Sequence, residues 1–157
     1  MIAVTDPSSA SPPVGSVPLT TEGGVHEFTQ LAELCEALAG RLGDWSTDGT
    51  DPSSAGTMSA LSARLAEHAE WWRDRIPESE LLQGTREEAS DPTRLDAVLA
   101  MLDVAPPSRV AAVALVLNGL IAHLVGLAGR LSPVGDAPAC RVVRLVLADL
   151  EDRPHSR

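Results

Sequence analysis

The chain has 157 residues, which is enough for a single domain with a hydrophobic core. All 12 of its basic side chains are arginines, so it can neither form a Schiff base through lysine nor supply the lysine of a phosphate-binding P-loop. Its formal net charge is −10 at pH 7, and 17 of its 22 acidic side chains lie between Glu22 and Asp103. This acidic part repels phosphate, so we expect no nucleic-acid partner.

The first residues predict a polar tail. Residues 1–24 are rich in serine, proline, threonine and glycine and contain no arginine, a composition typical of disordered segments. The opening Met-Ile-Ala-Val is too short and too uncharged for a secretory signal, so we expect a cytoplasmic protein. The pentapeptide Asp-Pro-Ser-Ser-Ala occurs at 6–10 and again at 51–55, and we interpret both copies as low-complexity linker.

Apolar residues at helical spacing predict two helices in the next part of the chain. The first runs from about Val25 to Leu42, with an inner stripe formed by Phe28, Leu31, Cys35, Leu38 and Leu42. The second helix has Thr57 as its N-cap and gives way at Pro77. Its inner stripe is formed by Met58, Leu61, Leu65, His68, Trp72 and Ile76.

Three further helices follow. Asp91 and Pro92 make a cap and first-turn pair for a short helix. A long apolar helix, residues 109–131, starts after two prolines and is terminated by Pro133. Asp136 caps a last helix that ends at Pro154. The inner faces of the short and last helices are formed by Leu95, Val98, Leu99 and Leu102, and by Val142, Val143, Val146, Leu147 and Leu150.

Because no segment alternates with a period of two, the pattern predicts an all-α fold. We expect a four-helix bundle at residues 25–152 with one extra short helix. Residues 1–24 form a disordered N-terminal tail in this prediction, and residues 153–157 form a C-terminal tail.

The long apolar helix constrains the architecture most. From Val110 to Gly129 only Asn118 and His123 are strongly polar, and a helix that is apolar all round needs a cover on every side. Lipid, other helices or a partner protein could supply it. The two polar residues near the middle and the lack of aromatic anchors favour a central helix of a soluble bundle over a membrane span.

The polar candidates for a site are a few side chains on inner faces. His68 lies on an apolar stripe, and His123 and Asn118 on the long helix are its natural partners, so a small-molecule pocket is possible there. Adjacent Trp71 and Trp72 point about 100 degrees apart. We expect Trp72 in the core and Trp71 facing a groove or partner. Three histidines on three helices, His26, His68 and His123, could instead hold a metal ion, and the simpler interpretation is that His68 and His123 are structural.

The two cysteines, Cys35 and Cys140, lie on predicted inner faces. Without an export signal we expect both to be reduced core residues, not a disulfide. The abundance of alanine, leucine, glycine, proline and aspartate, together with arginine in place of lysine, is typical of a GC-rich, actinobacterial genome.

Two segments carry a resemblance: Leu65 to Pro77 (LAEHAEWWRDRIP), and Leu131 to Asp149, which includes LSPVGDAP and RVVRLVLAD. Over residues 25 to 152 the chain resembles small ferritin-like helical-bundle proteins of actinobacteria. The resemblance implies a four-helix core with an extra short helix and a long crossover. Ferritin-like proteins that hold two irons use Glu-x-x-His motifs, and this chain has none. We therefore expect the scaffold without that metal chemistry, and no cofactor.

Three hypotheses on function follow. The first, which we favour, is a non-catalytic accessory or interaction protein, self-associating or binding another protein through the apolar helix 109–131. The second is a small-molecule-binding or catalytic bundle with a pocket formed by His68, Trp71, Trp72, Asn118 and His123. The third is a metal protein using the three histidines. The sequence alone does not decide whether the protein is an enzyme.

Overall fold

The computed structural model describes residues 16–152, and all regular elements in this part of the chain are helical. The prediction of an all-α fold is therefore confirmed. The helices are α1 (Thr21–Thr47), α2 (Pro52–Arg73), α3 (Gln83–Glu88), α4 (Pro92–Ala100), α5 (Arg109–Ala128) and α6 (Ala137–Glu151). Short 3₁₀ turns at Glu80–Leu82 and Pro106–Ser108 precede α3 and α5.

Side-chain caps explain where several helices start. The Thr20 hydroxyl accepts a hydrogen bond from the backbone amide of Gly23, so α1 begins four residues earlier than predicted. Asp91 accepts from the amide of Arg94, which confirms it as the cap of α4. Asp136 stands at the cap position of α6, but its carboxylate accepts from the amide of Ser132 instead.

The predicted start of the second helix is wrong. Asp51 is the cap of α2, because its carboxylate accepts from the amide of Ser53 and from the hydroxyls of Ser53 and Ser54. Pro52 follows in the first turn, where its missing amide hydrogen costs nothing. The second copy of the pentapeptide is thus a helix start with the same Asp-Pro signature as α4, and Thr57 lies inside the helix.

Helix α4 is the predicted short helix, and α3 is an additional one in the preceding stretch, where no element was predicted. Helix α3 has no buried residue, so it left no apolar stripe to detect. Part of the predicted tail is also ordered against the fold. The Ser16 hydroxyl donates to the Gly129 carbonyl, and the Leu19 amide donates to the Arg130 carbonyl. Residues 1–15 and 153–157, the remainder of the two predicted tails, lie outside the described residues.

The core is built around α1, which packs along α2 and also contacts α3 and α4. Ten of its residues are buried, from Gly24 to Trp45. Helix α5 packs along α6, which in turn contacts α2. The prediction that the helix at 109–131 forms the centre of the packing is wrong, since α5 buries a single stripe: Val113, Val116, Leu117, Leu120, Leu124 and Leu127.

Among the described residues, Pro106–Ala128 has the length and composition of a membrane-spanning helix, and one third of its most apolar window is buried. Core helices of proteins that never enter a membrane meet the same criterion.

Candidate functional site

An apolar groove of about 250 Å³ lies between α1, α4 and α5. Leu31 and Leu34 line it from α1, Leu95 and Val98 from α4, and Val116 and Leu120 from α5. Its rim includes Met101 and Leu115, whose side chains remain 45% and 62% exposed. The leucine-rich flanks of α1 and α5 therefore face each other across an open groove, because the short α4 does not fill the space beside α5.

Polar side chains gather along the groove. The Glu27 carboxylate pairs with His123 at 2.8 Å and with Arg130 at 3.5 Å. The hydrogen bond from His123 is the largest cause that lowers the pKa of Glu27 below its ordinary value. Gln30 donates to the carbonyl of Ala89 and accepts from Arg94, which ties α1 to the start of α4. The Glu27 pair likewise ties α1 to α5.

Glu33 differs from Glu27, the other glutamate that lines the groove, because it has no cationic partner among the residues described. Its carboxylate accepts a hydrogen bond from the Ser90 hydroxyl at 3.0 Å. It forms no ion pair with any arginine or histidine of residues 16–152. The side chain is half-buried and lines the groove.

His68 lies in a different environment. Its imidazole is completely buried, and its Nε2 is 2.9 Å from the Asp149 carboxylate of α6. The ring also lies 5.3 Å from that of Trp71. The Nδ1 atom is buried with no hydrogen-bond partner in the described part of the chain. Burial lowers the pKa of His68 below its ordinary value, and the bond to Asp149 opposes this shift.

Stability should therefore fall as the pH falls through the titration of His68. The unfolded chain binds a proton at this ring near pH 6.5, while the folded chain with its lowered pKa resists it. We expect the free energy of unfolding to decrease below that pH by up to about 1.4 kcal/mol per pH unit for this one group. His68→Gln retains a donor to Asp149 without the titration and should flatten the slope between pH 5 and 7, measured by urea unfolding. A slope unchanged in this variant would assign the pH dependence to other groups.

Trp72 and Cys35 belong to the core. Trp72 is fully buried and stacks on Phe28 of α1 with ring centroids 6.0 Å apart. Burial raises the pKa of the Cys35 thiol to about 12, so it stays protonated and unreactive at neutral pH. Cys140 is half-buried, and both thiols are free.

The predicted metal site is not formed. No group of three histidine, cysteine, aspartate or glutamate side chains within residues 16–152 is placed to hold a metal ion. His68 and His123 are each bound to a carboxylate of their own chain, on α6 and α1 respectively. His26, His68 and His123 therefore do not converge.

The predicted pocket is only partly assembled. Of its five residues, His123 lines the groove, while His68, Trp71 and Trp72 do not. Asn118 is exposed on α5. The sequence reasoning missed Glu27, Gln30 and Leu34, which form a second, flanking stripe of α1 at helical spacing. Of these three residues only Leu34 is apolar, so the apolar periodicity of α1 does not reveal the stripe.

Helix α5 presents a second feature, its outer face. We give this name to Ala111, Leu115, Asn118, Ala122, Val125 and Gly129, all of them exposed. They follow one another at steps of four and three residues, the spacing of a coiled-coil seam. No side chain on this face is charged. Small alanines stand beside the larger Leu115 and Val125, so another helix backbone can approach closely at Ala111 and Ala122. Gly129 is the C-cap residue of α5 and is contacted by Ser16, so it ends the face.

Comparison of the chain with protein-family models, with curated proteins and with solved structures gives no match.

Proposed function

We propose that this protein is a non-catalytic interaction module that self-associates through the outer face of α5. The observation that carries the proposal is this uncharged apolar face, which α5 directs away from its own bundle. Leu115 and Val125 are 62% and 57% exposed within it. Contiguous apolar patches of this kind mark interaction surfaces on soluble proteins.

A second copy of the chain fits this face better than a different partner does. The 4-3 spacing places the six positions along one line that is about 27 Å long at the helical rise per residue. Two such lines interdigitate as knobs into holes. In a two-fold symmetric dimer both copies contribute the same surface, and this face can pair with the same face of a second copy. Two chains of net charge −10 repel each other through most of their surfaces, whereas this face carries no charge that opposes contact.

We also propose a ferritin-like, four-helix arrangement of α1, α2, α5 and α6. The packing of α1 on α2 and of α5 on α6 supports it, as does the long connection through α3 and α4 between the two pairs. In that arrangement the outer face of α5 is the side of one helix that the bundle does not cover.

Mixing two differently tagged copies of the full chain tests self-association. At high micromolar concentration and without detergent, we expect each tag to recover both copies after exchange. Recovery of the captured copy alone would contradict the proposal. If the protein is soluble only in detergent, the outer face contacts lipid and not a second copy of the chain, which would also contradict the proposal.

A further inference from the structure

We propose that the groove between α1, α4 and α5 binds a small amphiphile with a short alkyl body and a cationic amine head. This inference goes beyond self-association, because the groove opens on the flank of α5 that faces α4. The groove and the outer face share Leu115, so binding is measured at protein concentrations at which the chain is monomeric. The groove shares only His123 with the pocket that the sequence predicted.

The size and walls of the groove define the body of the ligand. A volume of about 250 Å³ exceeds the roughly 150 Å³ of an engineered apolar cavity that takes up benzene. Leucine and valine side chains from three helices form the apolar walls of the groove. The apolar side chains of Met101 and Leu115 are exposed to water at the rim. A bound alkyl chain would bury part of this apolar surface.

The charges along the groove define the head group. Three carboxylates line it, those of Glu27, Glu33 and Asp91, against Arg94 and His123. Two of the carboxylates are already engaged, since Glu27 pairs with His123 and Arg130, and Asp91 caps α4.

Arg94 donates to the amide oxygen of Gln30 and, like Glu33, forms no ion pair among residues 16–152. The head group is therefore argued from the excess of carboxylates, since Glu27, Glu33 and Asp91 face this one arginine in the groove. Glu33 is left with a hydroxyl as its hydrogen-bond donor and no cation. An ammonium group beside Glu33 would supply the missing positive charge and three donors.

Gly119 offers a direct way to block the groove. It lines the groove, and a Cβ built at this position meets no atom within 4 Å. A leucine there can extend into the open space. Gly126 is the matched control, because it lies one heptad later on α5, also has open space around its Cβ and does not line the groove. Both Gly→Leu changes raise helix propensity, so neither should unfold α5.

Calorimetric titration with n-octylamine, 1-octanol and octanoate tests the proposal. We expect wild-type protein to bind octylamine most tightly and octanoate least. Gly119→Leu should weaken octylamine binding by on the order of 100-fold, because several methylenes lose their burial. Gly126→Leu should bind like the wild type.

The head group is tested separately. Glu33→Gln should weaken octylamine binding roughly three- to fivefold, as expected for one half-exposed ion pair, and leave octanol binding unchanged. Glu22→Gln is the charge-matched control, because Glu22 is exposed on the same helix, lies outside the groove and forms no ion pair among the described residues. Titrations at two protein concentrations separate ligand binding from self-association.

Three results would overturn the proposal. The first is no binding of octylamine to the wild type at millimolar concentration. The second is equal affinity of the Gly119→Leu and Gly126→Leu variants, which would place the ligand outside the groove. The third is tighter binding of octanoate than of octylamine, which would make Arg94 the recognition group and exclude a cationic head.

Discussion

Replacing Ala122 with glutamate should convert the protein from a dimer to a folded monomer. Ala122 is exposed in the middle of the outer face of α5. In a dimer each copy would bury an unpaired carboxylate against the apolar seam, which costs about 3 kcal/mol or more, equivalent to on the order of 100-fold in the dissociation constant. In the monomer the same carboxylate stays in water, so far-UV circular dichroism and the urea midpoint should be close to those of the wild type.

Ala60→Glu is the matched control. Ala60 is exposed on α2, away from the outer face, and a glutamate there is four residues before Arg64 on the same helix. We expect this variant to self-associate as the wild type does, measured by light scattering. Equal self-association of the Ala122→Glu and wild-type proteins would exclude the outer face as the interface.

Truncation of Trp72 to alanine should cause the largest loss of stability among the aromatic positions. The indole is fully buried between α1 and α2 and stacks on Phe28. Its removal should cost about 3–5 kcal/mol, a large part of the total stability of a domain of this size. Urea unfolding followed by far-UV circular dichroism measures this loss without relying on tryptophan fluorescence.

Trp71→Ala provides the comparison within the same pair. Trp71 is half-buried and lies against the His68 ring, so we expect a smaller loss, about 1–2 kcal/mol. Equal losses at both positions would contradict the assignment of Trp72 to the core and of Trp71 to its edge.

Helix positions that combine an apolar stripe with a start signal could be predicted from the sequence. The stripe of α1 from Phe28 to Leu42 is buried as expected, and Asp91-Pro92 starts α4. The inner position of Trp72 was predicted correctly as well. The same Asp-Pro signal at Asp51 was missed, because its repetition in the tail suggested a linker.

The place of α5 in the fold was not predictable from its composition. An apolar residue need not be buried, and much of the surface of a folded protein is apolar. On the outer face most of the apolar residues are alanine or glycine, which expose little area. Composition therefore overstates how much cover the helix requires, and the burial pattern depends on where α1 and α6 pack.

The groove depends on tertiary structure in the same way. Leu95 and Val98 were expected on an inner face, and they do face other helices. What the sequence did not reveal is that α4, with nine residues, is too short to close the space beside α5. The pairing of His123 with Glu27 joins residues 96 positions apart, a contact that no local pattern encodes.

The mass of the wild-type protein in solution tests the central claim most directly. Sedimentation equilibrium of the full chain, without detergent and from low to high micromolar concentration, should show a transition from the 16.4 kDa monomer to twice that mass. A mass that stays at 16.4 kDa across the whole range would contradict self-association through α5.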